Sequence, residues 1–269
     1  MKKKFLSLTV AIGLLATAAI GGTLAYFTDT DAEDNVFTMG NVSIDLVEKQ
    51  YDEEDKLVDF VDNKELMPGN QNKQDKIVTI ENDGSNDAYV WYEWLIPAAL
   101  DSNDGSTGTN NVLHVNSYGA TWDDYYTDTK YTLPTDFTKP TDINNTWDHD
   151  PEEEITSLGV GPQGYIDQEE IDNVTYNKYL VLYRGIVPAK TVDGNGTTTP
   201  AMNGVYLDMD LDTEVKNGKT VYTCHGQEVD YDFSAGITIP VRAYGIQAEG
   251  FDSVYDAYKA YAAQTATQQ

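Results

Sequence analysis

The stretch AYVWYEWLI, residues 88–96, decides the fold class of this chain. Apolar, aromatic and β-branched residues fill nearly all of it, and the turn signal Asn82–Asp83–Gly84 stands just before it. Such a run is typical of a strand in a β protein. Further strands, several with apolar and polar residues alternating, are predicted at 42–46, 77–80, 179–187, 205–209 and 237–246.

These strands predict an all-β fold, and the pattern suits a jelly-roll β-sandwich spanning residues 26–269. Between residues 101 and 163 the periodicity fades, which predicts a large loop-rich insertion at about 101–175; a separate small domain is the alternative. Near the C-terminus, residues 251–263 carry apolar side chains at helical spacing, which predicts a short helix that caps the sandwich. We expect four aromatic residues to structure the insertion in part, namely Trp122, Tyr125, Tyr126 and Trp147.

Composition excludes several classes of protein. The 269 residues carry 17 Lys and Arg against 45 Asp and Glu, a formal net charge of −28. Nucleic-acid binding depends on neutralising phosphates with basic residues, so this charge argues against it, and equally against an anionic membrane surface. One cysteine excludes an intramolecular disulfide framework and any multi-cysteine metal site.

The first 25 residues predict a secretory signal peptide. Lys2, Lys3 and Lys4 precede an apolar run over 5–20, and small residues lead to a cleavage site between Ala25 and Tyr26. A transmembrane anchor is the alternative, but the run is shorter than the ~20 residues that span a bilayer. We therefore expect a secreted chain, extracellular or at the cell surface, with no membrane association after cleavage.

Enzyme motifs are absent from the sequence. No HExxH, GxSxG or phosphate-binding glycine loop occurs, and His114, His149 and His225 are dispersed. Cys224 and His225 are adjacent, so on a strand they would point to opposite faces and could not act as nucleophile and base. A glycosidase pair of carboxylates cannot be identified among so many acidic residues. We expect no catalytic residues and no cofactor.

Calcium is a candidate ligand of three acidic residues. Asp208, Asp210 and Asp212 follow a D-x-D-x-D spacing, although Thr213 and Lys219 stand where an EF-hand loop requires Gly and Glu. On a strand the same spacing marks a solvent face, so solvated carboxylates are the alternative.

Three blocks of sequence resemble a known family. The junction Thr23-Leu24-Ala25-Tyr26-Phe27-Thr28-Asp29 is similar to signals handled by SipW, the ER-type signal peptidase of Gram-positive bacteria. The blocks over 35–46, 68–90 and 243–251 resemble the TasA/camelysin family. Residues from about 100 to 175 do not match that family.

The resemblance implies a secreted jelly-roll protein of the biofilm matrix that assembles into fibres by donor-strand exchange. The freed N-terminal segment would complete the sheet of the next subunit, with alternate side chains filling pockets; an unstructured tail is the alternative. The partners would be further copies of the chain and other matrix components. The candidate anchors of the assembly strand are Tyr26, Phe27, Val36, Phe37 and Met39.

Two other functions stay open. The aromatic insertion would suit an adhesin or a carbohydrate-binding accessory protein of the matrix, because Trp and Tyr faces stack on sugars. The camelysin branch implies a metallopeptidase, but no catalytic residue of that branch can be matched to a position in this chain.

Overall fold

The computed structural model describes residues 28–31, 42–54, 56–62, 65–69, 72–101, 111–117, 147–148, 155, 158, 164–191 and 196–266. The elements in chain order are β1 (Thr28–Asp31), β2 (Ile44–Tyr51), β3 (Leu57–Asp59), β4 (Gln74–Asn82), β5 (Ala88–Pro97), β6 (Leu113–Ser117), β7 (Trp147–Asp148), β8 (Tyr165–Ile171), β9 (Val174–Tyr183), β10 (Gly196–Thr197), β11 (Met202–Leu207), β12 (Asp212–Lys216), β13 (Lys219–Cys224), β14 (Gln227–Val229), β15 (Val241–Gln247) and the helix α1 (Val254–Ala266).

These strands form two large sheets and one small one. The first sheet has the order β1-β15-β5-β9-β7, and β8 also pairs with β9. In the second sheet the order is β3-β2-β4-β11-β6, with β10 pairing with β4; the small sheet is β12-β13-β14. All pairs between these strands are antiparallel. The predicted all-β fold is confirmed, whereas the jelly-roll topology stays a prediction.

The core lies between the two large sheets. Strand β5 is buried along its whole length, and its alternate residues enter two different apolar clusters. Trp94 belongs to the cluster shared with the second sheet, and Trp91 belongs to the cluster shared with α1. The period-2 geometry of a strand therefore divides one aromatic run between two cores.

Helix α1 covers the outer face of the first sheet. Val254, Ala257 and Tyr258 are its buried residues, spaced so that they share one side of the helix. The predicted capping helix is confirmed, at slightly later bounds than 251–263. Among the described residues, no helix has the length and apolar character needed to cross a membrane.

Several strands lie within the range 101–175 that the sequence predicts as an insertion. Strand β6 pairs with β11 in the second sheet, and β7 and β8 pair with β9 in the first. The turn between β8 and β9 has Asp172 at φ 50° and Asn173 at φ 64°, as a two-residue hairpin loop requires. The described part of this range is therefore built into the sheets, and polar residues such as Glu169 and Glu170 concealed the strand pattern.

Candidate functional site

The N-terminal segment forms the outermost strand of the first sheet. Thr28 pairs with Ile246, and Asp31 pairs with Ala243, so β1 covers the edge of β15 that β5 leaves open. An open strand edge carries unsatisfied N–H and C=O groups that invite pairing with another chain. Strand β1 therefore closes an edge that a strand from elsewhere could occupy instead.

The edge that receives β1 is held rigidly by the core. A Cβ on Gly245 would lie 3.0 Å from Ile44 Cγ2 and 3.5 Å from Val42 Cγ1, which is closer than ordinary contact for the first of these atoms. Glycine at this position lets β15 approach β2 closely. The strand β15, whose edge pairs with β1, therefore packs closely against the second sheet.

The other residues predicted for the N-terminal segment lie outside the described residues. These include the cleavage pair and the assembly anchors, and their roles stay predictions: Ala25, Tyr26, Phe27, Val36, Phe37 and Met39. Thr28–Asp31, which stands between the two groups of anchors in sequence, is the part whose pairing is observed.

A second site gathers residues that are far apart in sequence around Asp208. The sequence pattern predicts that the strand runs to residue 209, but β11 ends at Leu207. Asp208 Oδ1 accepts the N–H of Asp210 at 2.7 Å and so starts a turn, because an aspartate side chain can hydrogen-bond to its own backbone two residues on. The turn takes Asp208 and Asp210 out of the solvent-facing row that the pattern predicts.

Cys224 and His225 approach Asp208 from the β13–β14 hairpin. Cys224 ends β13, but His225 has φ 49° and Gly226 has φ 75°, which makes them a two-residue hairpin turn. The argument that adjacent strand residues face apart therefore does not apply here. Ligand atoms of Asp208, Cys224 and His225 all lie within 4.8 Å of one another.

Both described histidines contact the same carboxylate oxygen. His114 Nε2 is 2.8 Å from Asp208 Oδ2, and His225 Nε2 is 3.3 Å from it. The other ring nitrogen of His225, Nδ1, is 3.0 Å from Asp210 Oδ2. His149 lies outside the described residues.

Charge and burial shift the pKa values of two groups in this cluster, Asp208 and Cys224. Burial by itself would raise the pKa of Asp208, but hydrogen bonds from Asp210 N–H and His114, together with the charges of His114 and His225, lower it. For Cys224, burial and the negative charges of Asp208 and Asp210 raise the thiol pKa to about 11. At neutral pH the thiol therefore keeps its proton, and its S–H donates a hydrogen bond to the Asp208 carboxylate.

The three aspartates predicted as calcium ligands separate in the structure. Asp208 and Asp210 both contact His225, whereas Asp212 opens β12 and accepts the N–H of Thr213 at 2.7 Å. None of these contacts bears on calcium binding, so a calcium ion at these positions stays a prediction.

A third cluster of titratable groups lies on the outer face of the first sheet, near α1. Tyr244 donates its hydroxyl to Glu93 Oε2 at 2.8 Å, and Arg242 donates to both oxygens of Glu169 at 2.8 and 2.6 Å. Burial raises the pKa of Glu93, whereas hydrogen bonding to Arg242 lowers the pKa of Glu169. Every polar group named here has a partner, so this cluster serves packing.

Of the aromatic residues considered for sugar binding, Trp147 lies in the core. It is 2% exposed, it stacks on Tyr92 with ring centroids 4.8 Å apart, and its Nε1 donates to Thr199 O at 2.9 Å. A side chain with both faces and its N–H engaged offers no sugar-stacking surface. Trp122 lies outside the described residues.

Part of the chain matches a family of known proteins. The family model for camelysin metallo-endopeptidase matches residues 1–92, which confirms the resemblance to the TasA/camelysin family in this part of the chain. That family is nominally a peptidase family, although its TasA members are described as structural. No curated protein and no solved structure matches this chain.

Proposed function

Given that its first third is similar to the camelysin family, we propose that this chain is a secreted structural protein of the extracellular matrix, in which it assembles into fibres. The observation that carries this proposal is β1, a four-residue terminal strand on the edge of β15. Residues 32–43 lie between β1 and β2 in sequence, and a connection of this length could let β1 pair with a neighbouring copy. A head-to-tail contact of this kind does not close and propagates as a filament.

In the fibre, we propose that residues 26–39 of one copy occupy the β15 edge of the next. Main-chain hydrogen bonds supply the affinity in such strand addition, and side chains flanking the strand supply specificity. The candidate anchors Tyr26, Phe27, Val36, Phe37 and Met39 flank the pairing segment on both sides. Deletion of residues 26–39 should therefore abolish filaments in negative-stain electron microscopy while leaving the rest of the fold intact.

Paired proline variants give a sharper test. Alternate residues of an edge strand direct their N–H groups toward the neighbouring strand, and proline has no N–H. Of the two double variants Thr28→Pro/Thr30→Pro and Asp29→Pro/Asp31→Pro, one removes the bonds to β15 and the other removes groups on the free edge. We expect one variant to lose filaments and the other to keep them. Unchanged filaments in both would contradict the proposal.

A peptide of residues 26–39 provides a test without any substitution. If the donor strand comes from a neighbouring copy, excess peptide should compete for the β15 edge and shorten the filaments. The control is the same peptide with proline at the pairing positions. If neither peptide changes the filament length, the result would count against strand addition.

Repulsion between subunits should control assembly. With a formal net charge of −28, copies of the chain repel one another, and salt or protonation of carboxylates weakens that repulsion. We expect light scattering from assembled protein to increase at high salt and at low pH. Scattering that falls under both conditions would contradict this expectation.

A further inference from the structure

We propose that Asp208, Cys224 and His225 bind one Zn²⁺ ion, which ties the small sheet to the rim of the second sheet. This site is independent of the fibre proposal, because it uses none of the N-terminal residues.

Backbone hydrogen bonds and strand pairing place the three residues. Asp208 N–H donates to Val112 O at 2.8 Å, which fixes the end of β11 beside β6. Cys224 pairs with Gln227 across the hairpin, and the turn between them presents His225 on the same side as the thiol. Two separate parts of the chain therefore meet with their side chains converging.

The donor atoms have the separation that zinc requires. Zn²⁺ binds thiolate at about 2.3 Å and imidazole or carboxylate at about 2.0 Å, so the ligand atoms of a tetrahedral site lie roughly 3.3–3.8 Å apart. The atoms of Asp208, Cys224 and His225 already lie within 4.8 Å of one another. Small rotations of these side chains would complete the geometry, and water supplies the fourth ligand.

Two neighbouring residues provide the outer shell that metal ligands usually have. Asp210 Oδ2 lies 3.0 Å from His225 Nδ1 and accepts a hydrogen bond from Nδ1–H, which leaves the Nε2 lone pair free to bind the ion. His114 lies 2.8 Å from the Asp208 carboxylate and orients it. A carboxylate–histidine–metal arrangement of this kind fixes the tautomer and strengthens the ligand.

The donor set selects zinc over calcium. Thiolate and imidazole suit borderline-soft cations, whereas Ca²⁺ takes six to eight oxygen ligands. Cys224 is 4% exposed, but the side chain of His225 is 30% exposed, so an ion can enter from the solvent side. The acidic chain raises the local concentration of cations around that opening.

Zinc would stabilise a part of the molecule that has little core of its own. Every residue of β12 is exposed, and Val215 is 75% exposed. On binding, a Zn–S bond replaces the S–H bond of Cys224, and the thiol proton leaves to solvent without any change of oxidation state. The ion would join the hairpin to Asp208 at the end of β11.

The test uses the purified chain after treatment with a chelator. Equilibrium dialysis against Zn²⁺ with Ca²⁺ in excess should give one bound zinc per chain by elemental mass spectrometry. Co²⁺ in place of Zn²⁺ should give a thiolate-to-cobalt charge-transfer band and the visible bands of a tetrahedral site. The cobalt spectrum of the parent protein identifies the sulfur ligand even if a variant fails to fold.

Substitutions then assign the ligands. Cys224→Ser should remove the charge-transfer band, and Asp208→Asn and His225→Asn should weaken zinc binding at least tenfold; Asn suits the positive φ of residue 225. The outer-shell variant Asp210→Asn should weaken binding by about tenfold. Glu228→Gln, on the same hairpin, is the matched control and should bind as the parent does.

Three results would overturn the proposal. They are the absence of stoichiometric zinc, a cobalt spectrum without the thiolate band, and zinc affinity that is unchanged in the Cys224 and His225 variants. Preferential calcium binding that is lost in Asp212→Asn would instead support the oxygen-only site predicted from the sequence.

Discussion

The two faces of the first sheet are buried in different ways. The inner face packs on the second sheet, and Trp94 there is fully buried in an apolar cluster. The outer face is covered by the single helix α1, and beside the fully buried Trp91 it holds a carboxylate, Glu93. Residues of both large sheets share the inner apolar cluster, whereas the outer face is covered by one helix, with polar groups beside it. The difference indicates that the inner face supplies most of the stability.

The largest effect expected from this comparison is that of Trp94→Ala. Removing a fully buried indole between two sheets leaves a cavity that neither sheet can collapse to fill, because each is held by its own ladder. We expect a loss of about 5 kcal/mol in the free energy of unfolding, measured in urea. Met209→Ala, at a residue that is 71% exposed, is the control and should change it little.

The matched change on the outer face, Trp91→Ala, should cost less. Trp91 contacts Tyr258 edge-on, with ring centroids 5.5 Å apart, and also Tyr261 on the same helix. Since a helix can shift toward the sheet when the indole is removed, we expect about 3 kcal/mol, at the low end for a buried aromatic residue. A loss equal to or greater than that of Trp94→Ala would contradict the ranking of the two faces.

The Arg242–Glu169 ion pair, at the margin of the outer face, should contribute less to the free energy of unfolding than either tryptophan. Glu169→Gln removes a carboxylate that accepts two hydrogen bonds from Arg242, and both side chains are partly exposed. Because charge-assisted bonds are strong but solvent screens this pair, we expect a loss of roughly 1 kcal/mol at neutral pH. The pKa of Glu169 is lowered in the folded state, so this contribution should disappear as pH falls through that pKa. A difference from the parent that is the same at acid and neutral pH would contradict this account.

The smallest effect expected is the contribution of Glu93 to the pH dependence of the free energy of unfolding. Its pKa is raised by burial, against the opposing hydrogen bond from Tyr244, so the folded state holds the proton more tightly than the unfolded state does. Between the unfolded pKa and the raised folded pKa, this group should lower stability as pH rises. Glu93→Gln keeps an acceptor for Tyr244 and should remove that part of the slope. Identical stability–pH curves for the two proteins would show that Glu93 titrates normally.

The strands were largely predictable because their signals are local. Residues 88–96 form most of β5, 77–80 lie inside β4, and the helix begins close to its predicted position. Several strand boundaries were wrong: β9 spans Val174–Tyr183 and not 179–187, and β15 begins at Val241 although the alternation starts at Ile237. Strand β11 stops at Leu207 because Asp208 starts a turn. Side-chain hydrogen bonds and tertiary packing override alternation at such ends.

The cluster around Asp208 was only partly predictable. The sequence pattern predicts Asp208 and Asp210 as calcium ligands within an oxygen-only set, without Cys224 or His225. The His225–Gly226 pair in a polar stretch was the one sequence signal for a hairpin turn there, and it would have shown that Cys224 and His225 need not face apart. His114 gave no local signal, since it meets Asp208 across 94 residues.

The sequence by itself determined the all-β class, from its aromatic strand runs, together with the strongly acidic composition and the resemblance to the TasA/camelysin family over residues 1–92. These features depend on side-chain periodicity and composition, which act over a few residues. Only the tertiary structure decided that β1 lies on the edge of β15 and that His114, Asp208, Cys224 and His225 meet. Such meetings depend on sheet order and strand register, which are set by packing between segments distant along the chain.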